Sequence, residues 1–561
     1  MSRAPAPMSA YGDKPWLANY TSGVPATFTP DFDNALSLLR AAVARAPQRA
    51  ALLYFDGALS YAELDAQSDA LASAWQERGC ARGDRIGLYL QNVPQFIIVL
   101  TAAWKLGAIA VPINPMNRAR ELRLLLADSG ARLLVCHESL YADVVRPLFA
   151  DDPAPLPAWP AVMTTSELEY QSRHDARLFA GVRRQRAEGA EDLSTVIAAH
   201  AGRKPPPVQL GPDDVAMLVY TSGTTGVPKG AMNTHGNIAF NAQVYRDWIQ
   251  LREGAPILGL APLFHITGLI GHVAAALICA APLALAWRFE PGVILDAISE
   301  HRAEFTVGAI TAFIALMNHP GATREHLASL RCVYSGGAPI PPSVIDAFRD
   351  RFGLYIHNAY GLTETNSPTH IVPLGSQAPI DPASGTLAIG VPVCNAESYI
   401  GGDDGQPLPV GEIGEIISRG PMIVPGYWHK PAETAQAFRN GYFHTGDVGF
   451  MDAHGWFYLV DRKKDMINAS GYKVWPREVE DVLYTHPAVR EAAVVGVPDS
   501  YRGETVKAVV SLKPSAHATP EEIIAYCKSR IAAYKYPRIV ELVDELPKTV
   551  TGKILRRELR G

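Results

Sequence analysis

Short apolar runs of four to eight residues alternate along this chain with longer stretches whose apolar residues recur at helical spacing. Arg85–Leu90 is such a run and precedes a helical pattern at Pro94–Leu106, and Leu133–Cys136 follows a helical pattern at Ala119–Ser129. This alternation is typical of βαβ units, which form mainly parallel sheets covered by helices. The pattern therefore predicts an α/β fold, with a large N-terminal domain of stacked sheets and helices.

The pattern changes near Asp461, where the charged stretch DRKKDMI follows a run of turns. About 100 residues then remain, which is a plausible size for a small domain. Its predicted strands are Ala492–Val497 and Ala508–Leu512, and its predicted helices are Pro476–Tyr484 and Pro520–Arg530. We therefore predict two domains, residues 1–460 and 461–561, the second a small α+β lid on a hinge.

The segment Ala255–Trp287 carries no formal charge and is long enough to span a bilayer. Proline, glycine and histidine residues divide it into short pieces, however. We expect a buried strand, a loop, a buried helix at about Leu269–Cys279 and a second strand, and hence no transmembrane segment.

Composition narrows the class of protein. The 561 residues are 48% hydrophobic and 19% charged, which excludes a disordered chain, a collagen-like repeat and a coiled coil. The net charge of −5 does not favour nucleic-acid binding. From Asp461 onward, however, 18 Lys and Arg stand against 14 Asp and Glu, which suits a polyanionic small ligand or is merely an uneven solvated surface. Six scattered cysteines and a start without an apolar signal segment lead us to expect a cytoplasmic protein.

The segment Tyr220–Gly230, with the sequence YTSGTTGVPKG, is the strongest chemical feature. It follows the apolar run Val215–Val219 and precedes a stretch expected to be helical. Three glycines, four Ser or Thr hydroxyls and Lys229 suit a loop that wraps phosphate oxygens with backbone N–H groups, hydroxyls and a cation. The alternative is a flexible linker, which rarely stands between a strand and a helix.

This loop resembles the phosphate loop of the adenylate-forming superfamily, which includes acyl-CoA synthetases, luciferases and nonribosomal adenylation domains. Further segments resemble motifs of that superfamily in the same order, across nearly the whole chain. They are Tyr360–Thr365 (YGLTET), Thr445–Asp447 (TGD), Asp461–Lys464 (DRKK) and Pro547–Lys553 (PKTVTGK). The resemblance implies activation of a carboxylic acid by ATP and Mg²⁺, followed by a second step on a rotated small domain.

The resemblance also implies a role for each matching residue. Lys553, Thr363, Glu364 and Lys229 would be catalytic, with Lys553 bridging the substrate carboxylate and the α-phosphate. Glu364 would bind Mg²⁺, with Thr224 or Thr225 as hydroxyl partner, and Asp447 would accept hydrogen bonds from the ribose hydroxyls. The implied ATP- or AMP-binding residues are Thr221, Ser222, Gly223, Thr224, Thr225, Gly226, Lys229, Gly337, Ala338, Tyr360, Gly361, Thr363, Asp447, Arg462 and Lys553. Taken singly, Asp447 and Lys553 would be an ordinary turn residue and a solvated lysine.

For the thioester-forming step the resemblance implies a hinge at Lys464 and a coenzyme A channel lined by Gly471. Lys473 would meet the phosphates of coenzyme A, although a plain surface role is an equal alternative. A long charged side chain at the hinge can be solvated in both orientations of the lid.

The acyl pocket is implied to contain His265, Ala309, Gly336 and Gly337, with a buried structural histidine as the alternative for His265. No acidic residue lies in the segments Leu260–Gly268, Val307–Phe313 and Ser335–Pro339, which favours a plain carboxylic acid over an amino acid. The chain departs from many relatives at Ala309-Ile310-Thr311 and at Trp287-Arg288, and a bulky side chain can close such a pocket.

The leading hypothesis is an AMP-forming acyl-CoA ligase for a medium- or long-chain fatty acid. An aryl acid or a short branched hydroxy acid such as 2-hydroxyisobutyrate is the main alternative substrate. A luciferase-like oxygenase and a non-catalytic acyl-AMP binder are alternatives of a different class. The expected partners are the acid and coenzyme A, without nucleic acid, and a homodimer is left open.

Overall fold

The structure is a computed structural model and describes residues 9–151, 160–221, 228–462, 465–469, 472–499, 503–549 and 554–560. Within these residues the strands form three sheets. The large sheet and a second sheet belong to the large N-terminal part, and the small sheet belongs to the smaller C-terminal part. The mixed α/β class, with a large and a small domain, is confirmed.

The second sheet has seven strands among the described residues and is parallel except at one edge. In spatial order they are Glu191–Asp192, Ala161–Thr165, Leu133–His137, Arg85–Tyr89, Ile109–Pro112, Val215–Thr221 and Lys229–Thr234. The last two strands pair antiparallel as a hairpin. The segment after the phosphate loop is therefore a strand, and our expectation of a helix directly after the loop is wrong, because the helix His235–Trp248 begins only after this strand.

The large sheet has fourteen strands in the described part of the chain. Its antiparallel half runs Glu397–Gly401, Gly414–Arg419, Tyr442–Met451, Phe457–Arg462, Ala388–Pro392 and His370–Ile371, with Phe438–Arg439 beside Tyr442–Met451. Its parallel half continues with Ile356–Tyr360, Cys332–Gly336, Phe305–Gly308, Ile257–Leu258, Leu283–Leu285 and Ala50–Tyr54, and Gly57–Ser60 closes the edge as a hairpin. The strands at 257–258 and 283–285 are those expected inside the charge-free segment.

The small sheet is built from the strands Tyr472–Val474, Ile467–Ala469, Gly503–Leu512, Val489–Asp499 and Ile539–Leu542. The helices Pro476–Tyr484 and Pro520–Lys528 pack on it around a separate apolar core. Arg556 connects the helix Pro476–Tyr484 to the end of the strand Phe457–Arg462, because its guanidinium contacts Glu480 at 2.7 Å and Asp461 at 3.1 Å. The domain boundary at residues 460 and 461 stays a prediction.

The α-helices before the small domain are Ser9–Gly12, Ala35–Arg45, Tyr61–Glu77, Pro94–Leu106, Ala119–Ser129, Glu138–Leu140, Arg146–Asp151, Ala176–Phe179, Leu193–Ala199, His235–Trp248, Ile266–Gly268, Ala275–Ile278, Pro291–His301, Ile310–Asn318, Pro342–Phe352 and Pro431–Ala437. Short 3₁₀ turns lie at Pro15–Asn19, Glu325–Leu327, Thr363–Thr365 and Arg556–Leu559, and π-helical turns at Tyr141–Val145 and Leu269–Ala274. The helix Pro94–Leu106 has the predicted bounds because a proline starts it and Gly107, at φ 68°, ends it. No helix of the described residues is both long and apolar enough to cross a membrane.

Candidate functional site

Four neighbouring parallel strands of the large sheet bring nine of the predicted site residues to one edge. These strands are Ile257–Leu258, Phe305–Gly308, Cys332–Gly336 and Ile356–Tyr360. His265 follows the first by a loop, Ala309 directly follows the second, Gly336 ends the third and Tyr360 ends the fourth. The carboxyl ends of parallel strands are the usual place for a ligand crevice. The edge therefore places the implied acyl-pocket residues beside the implied nucleotide residues.

The glycines at this edge are required by the backbone. A Cβ on Gly336 would lie 2.5 Å from the carbonyl oxygen of Ala359 on the neighbouring strand. Gly337 adopts φ +81°, a conformation that residues with side chains rarely adopt. The half-buried Ala338 comes next, so the chain leaves this strand with little side-chain bulk. Such a segment lets a ligand approach the backbone closely.

Tyr360 and Asp447, both implied nucleotide residues, are in direct contact. The Tyr360 hydroxyl donates a hydrogen bond of 2.8 Å to Oδ2 of Asp447, and the two residues are 8% and 4% exposed. Asp447 stands on the strand Tyr442–Met451, opposite the backbone of Arg462. The Asp447 N–H donates to the Thr445 hydroxyl, which itself donates to the carbonyl of Ile416. The Tyr360 hydroxyl thus holds the Asp447 carboxylate, and Thr445 holds the backbone that carries it.

Glu364 and Lys229 come together through a residue that the sequence reasoning missed, Tyr427. The Tyr427 hydroxyl donates a hydrogen bond of 2.8 Å to Oε1 of Glu364. The ammonium of Lys229 lies over the face of the same ring, 4.3 Å from its centroid. Burial and the charge of Glu364 raise the pKa of Tyr427 above its ordinary value, so the hydroxyl keeps its proton.

The backbone around Tyr427 is fixed by the phosphate-loop hairpin. The strand Lys229–Thr234 pairs with this segment, since Trp428 N–H donates to Gly230 O at 2.8 Å and Met232 N–H donates to Gly426 O at 3.0 Å. Gly426 adopts φ +152°, and a Cβ there would lie 2.5 Å from the Thr434 side chain. In the sequence, Gly426 and the neighbouring prolines signal a turn. Nothing in that signal places the aromatic ring between a lysine and a glutamate.

Two buried amides of the helix His235–Trp248 bond to the segment that contains Glu364 and to the segment 421–424 beside it. Asn241 Nδ2 donates to the carbonyl of Asn366 at 2.7 Å. Asn237 Nδ2 donates to the carbonyl of Pro421 at 2.7 Å. Thr363 and Glu364 begin a 3₁₀ turn that the first amide anchors, and Val424 N–H donates to the Glu364 carbonyl. The position of the Glu364 carboxylate therefore depends on this helix.

His265 lies at the N-terminus of a short helix that continues into the π-helical turn Leu269–Ala274. Its Nδ1 accepts a hydrogen bond from Thr267 N–H at 3.3 Å, and the residue is partly exposed. The loop before it is held by Asn92, which reaches across from the second sheet. Asn92 Nδ2 donates to the carbonyls of Gly259 and Ala261 at 3.1 Å each, and its Oδ1 accepts from Leu263 N–H at 2.8 Å.

Several predicted residues lie outside the described residues: Ser222, Gly223, Thr224, Thr225, Gly226, Lys464, Gly471 and Lys553. The side chains of Arg462 and Lys473 are also outside the description, although their backbones lie in strands. Thr221 ends a strand next to the phosphate loop, and its hydroxyl lies 3.4 Å from the carbonyl of Lys229. Gly361 packs against the backbone, since a Cβ there would lie 3.0 Å from Cα of Ser367.

Residues 39–428 match the family described as AMP-binding enzyme, and residues 478–553 match the AMP-binding enzyme C-terminal domain. A long-chain-fatty-acid–CoA ligase of Bacillus subtilis (strain 168) is 36% identical over 557 residues, which cover 97% of each chain. A feruloyl-CoA synthase of Amycolatopsis sp. is 36% identical over 514 residues, 92% of this chain and 96% of the synthase. The crystal structure of the anthranilate CoA ligase AuaEII in complex with anthranoyl-AMP matches with a TM-score of 0.84 at 28% identity, covering 96% of this chain and 98% of that one.

Proposed function

The chain belongs to the AMP-binding enzyme family and is an AMP-forming acyl-CoA ligase, and on that premise we propose that it activates a medium- or long-chain fatty acid. The observation that carries the proposal is the set of residues gathered near the carboxyl ends of the parallel strands. Tyr360, Asp447 and the Lys229–Tyr427–Glu364 group supply polar and charged groups there. The segments assigned to the acyl pocket carry no acidic residue.

The proposed reaction has two steps. A carboxylate oxygen of the acid attacks the α-phosphorus of ATP, the bond to the bridging oxygen breaks, and pyrophosphate leaves. The thiolate of coenzyme A then attacks the acyl carbonyl carbon of the adenylate, and AMP leaves. Negative charge accumulates on the phosphates in the first step, so fixed positive charge accelerates it. We assign this positive charge to two lysines. Lys229 lies beside Tyr427 and Glu364 at the phosphate-loop hairpin, and Lys553 is the second.

The residues present also fit Mg²⁺. This ion is usually bound by one or two carboxylates together with substrate phosphates, and Glu364 is a carboxylate beside the phosphate-loop hairpin. Within the described residues, no three His, Cys, Asp or Glu side chains are grouped so as to hold a metal ion. Glu364 would hold Mg²⁺ with the Thr224 hydroxyl and the phosphates, and the bound ion would neutralise charge on the leaving pyrophosphate.

Asp447 would accept hydrogen bonds from the ribose, with Arg462 nearby, and the Tyr360 ring would lie against adenine. Thr221, Gly337, Ala338, Gly361 and the remaining loop residues predicted above would complete the ATP site. His265, Ala309 and Gly336 would border the acyl chain. On the small domain, rotation about Lys464 would replace Lys553 with Gly471 and Lys473 for the coenzyme A step. The domains would then be residues 1–460 and 461–561.

An aryl acid is the second candidate substrate, favoured by the feruloyl-CoA synthase, which has the same 36% identity over a somewhat shorter alignment than the fatty-acid ligase. AMP release from ATP should be measured with octanoate, palmitate, benzoate, ferulate and 2-hydroxyisobutyrate, with and without coenzyme A. Release that depends on coenzyme A and favours octanoate or palmitate supports the proposal. A preference for ferulate or benzoate replaces the fatty acid with an aryl acid, and no release with any acid overturns the proposal.

Lys553→Ala tests the two-step assignment. We expect adenylate formation to fall by about 100-fold or more, because one transition-state charge contact is lost. Transfer from a synthetic acyl-adenylate to coenzyme A should stay within about twofold of wild type. Undiminished adenylate formation would contradict the role given to Lys553.

A further inference from the structure

Tyr427 lies between two opposite charges, Lys229 and Glu364, beside the phosphate-loop hairpin. One face of its ring lies against the Lys229 ammonium at 4.3 Å, and its hydroxyl donates to the Glu364 carboxylate at 2.8 Å. Tyr427 is 5% exposed and Glu364 is 8% exposed. Attraction between opposite charges is strong where water is scarce. A lysine and a glutamate placed in such surroundings without a spacer would form an ion pair.

An ion pair between Lys229 and Glu364 would oppose the proposed function. ATP would have to pull the ammonium away from the carboxylate before the phosphates could bind it. Mg²⁺ would have to compete with the same ammonium for the carboxylate oxygens. Both penalties vanish if the two groups are kept apart before the nucleotide arrives.

We propose that Tyr427 is a positioning residue that holds Lys229 and Glu364 apart and directs each toward ATP and Mg²⁺. The inference rests on the proposed function. The ring provides a cation–π contact that keeps the ammonium on one face. The hydroxyl occupies Oε1 of Glu364 and so fixes the rotation of the carboxylate.

The ring can act as a spacer because its own backbone cannot move freely. The segment Gly426–Trp428 is bonded on one side to the strand Lys229–Thr234. On the other side, the Tyr427 N–H donates to the Thr434 hydroxyl at 3.0 Å. The Thr434 hydroxyl in turn donates to the carbonyl of Lys430 at 2.7 Å. The strand that carries Lys229 and the segment that carries Tyr427 therefore form one unit.

Two substitutions separate the roles of the hydroxyl and the ring. Tyr427→Phe keeps the spacer but removes the donor to Glu364, and a hydrogen bond to a charged group is usually worth about a tenfold change in an equilibrium constant. We expect the Kd of ATP with Mg²⁺ to rise about tenfold, and the Kd of ATP without Mg²⁺ to change less than threefold. Tyr427→Leu removes ring and hydroxyl and lets the two charges meet. The Kd of ATP should then rise about tenfold or more even without Mg²⁺.

The decisive measurement is equilibrium binding of ATP without Mg²⁺ by titration calorimetry, because it does not depend on turnover. If Tyr427→Leu acts by allowing the ion pair, removing the carboxylate charge must reverse the effect. We therefore expect the double variant Tyr427→Leu/Glu364→Gln to bind ATP within about threefold of Glu364→Gln alone. A double variant that binds as weakly as Tyr427→Leu overturns the inference, because the tyrosine would then be a purely structural residue.

Tyr458→Phe is the matched control. The Tyr458 hydroxyl also donates to a carboxylate, Oδ2 of Asp452 at 3.1 Å, and Tyr458 is buried in the strand Phe457–Arg462 of the large sheet. This variant should bind ATP as wild type does, with and without Mg²⁺, and an equal loss of binding in it would overturn the inference. If Tyr427→Leu does not fold, Tyr427→Phe still tests the proposal: equal affinity for ATP with Mg²⁺ in the variant and the wild type overturns it.

The two proposals fail in different ways. Wild-type protein that binds no ATP, or that releases no AMP with any acid, overturns the proposed function and removes the basis of this inference. Wild-type protein that releases AMP while Tyr427→Phe and Tyr427→Leu bind ATP normally overturns the inference alone.

Discussion

Asn92 joins the two sheets of the large domain at the loop that leads to His265, and its replacement should affect stability and acid binding together. Its side chain is 8% exposed and makes three hydrogen bonds to the backbone of residues 259–263, at 2.8 to 3.1 Å. Its own N–H donates to the carbonyl of Trp287 at 3.2 Å. One buried amide thus holds the loop that we assign to the acyl pocket.

The size of the effect follows from these bonds. Each is worth about 1 kcal/mol, so Asn92→Ala should lower the free energy of unfolding by about 3 kcal/mol. Asn92→Asp keeps the acceptor for Leu263 N–H but turns a carboxylate oxygen toward the carbonyls of Gly259 and Ala261. A buried charge facing two acceptors is worse than a small cavity, so the aspartate variant should be less stable than the alanine variant.

Urea unfolding followed by tryptophan fluorescence measures the first effect, and the KM values for the acid and for ATP measure the second. We expect the acid KM of Asn92→Ala to rise about tenfold, since small misplacements in a site are costly, while the ATP KM stays within about twofold. Asn395→Ala is a matched control, because the Asn395 side chain also joins two distant segments, by bonds of 2.9 and 3.0 Å to the backbone of Phe28. That control should lose stability without changing the acid KM.

Two results would refute the reasoning on Asn92. An aspartate variant as stable as the alanine variant would show that the amide does not donate to the two carbonyls. An acid KM in Asn92→Ala that matches Asn395→Ala would show that the loop before His265 does not border the acid.

Three further predictions concern other parts of the molecule. Gly336→Ala would place a Cβ 2.5 Å from the carbonyl oxygen of Ala359. We expect it to lower the free energy of unfolding by about 1–3 kcal/mol and to lower kcat/KM. Wild-type values in both assays would contradict the packing argument. Asp447→Asn would place an amide against the Tyr360 hydroxyl and should raise the Kd of AMP about tenfold in calorimetry, with no change in acid KM; an unchanged Kd would remove Asp447 from the ribose site. Burial lowers the pKa of four histidines well below the ordinary value of about 6.5. The pKa falls to about 4 for His235 and His357 and to about 3 for His272 and His370. The folded state favours their neutral forms, so their contribution to the free energy of unfolding is complete above pH 6.5. It falls by about 1.4 kcal/mol per histidine for each pH unit from 6.5 toward 4. Urea unfolding at pH 7.5, 6.5 and 5.5 checks this, and equal stability at all three values would contradict it.

Periodicity predicted much of the parallel architecture, because local signals define its elements. The helices Pro94–Leu106, Ala119–Ser129 and Pro476–Tyr484 have the predicted bounds, the first two ending at a left-handed glycine. The charge-free segment 255–287 contains the expected short elements, since its prolines and glycines stop longer ones. These signals lie within a few residues of the structure that they determine.

The hairpin strand Lys229–Thr234 could not be recognised in this way. Its sequence, KGAMNT, has no apolar run, and its buried Asn233 and Thr234 are residues that ordinarily favour loops and caps. It is a strand because the strand Val215–Thr221 and the segment around Tyr427 bond to it on either side. Tertiary pairing therefore overrides its weak local preference.

The candidate site shows the same contrast between local sequence signals and contacts of distant segments. Motif resemblance assigned Tyr360, Asp447 and Glu364 to one site, and the structure brings the first two into contact. Resemblance says nothing about Tyr427 or Asn92, because their roles arise from segments far apart in the chain. Spacing along a sequence cannot reveal which distant backbone a buried amide will bind.

The strand order of the two sheets of the large domain also has a consequence for synthesis on the ribosome. All strands of the second sheet lie between residues 85 and 234, so that sheet can assemble from one continuous stretch of nascent chain. The strand Ala50–Tyr54, in contrast, pairs in parallel with Leu283–Leu285 and must wait for more than 200 later residues. Long-range pairing of this kind slows folding and leaves an apolar strand edge exposed meanwhile. The earliest-made strand of the large sheet is thus paired on only one side, by its hairpin partner, until residues 283–285 have been synthesised.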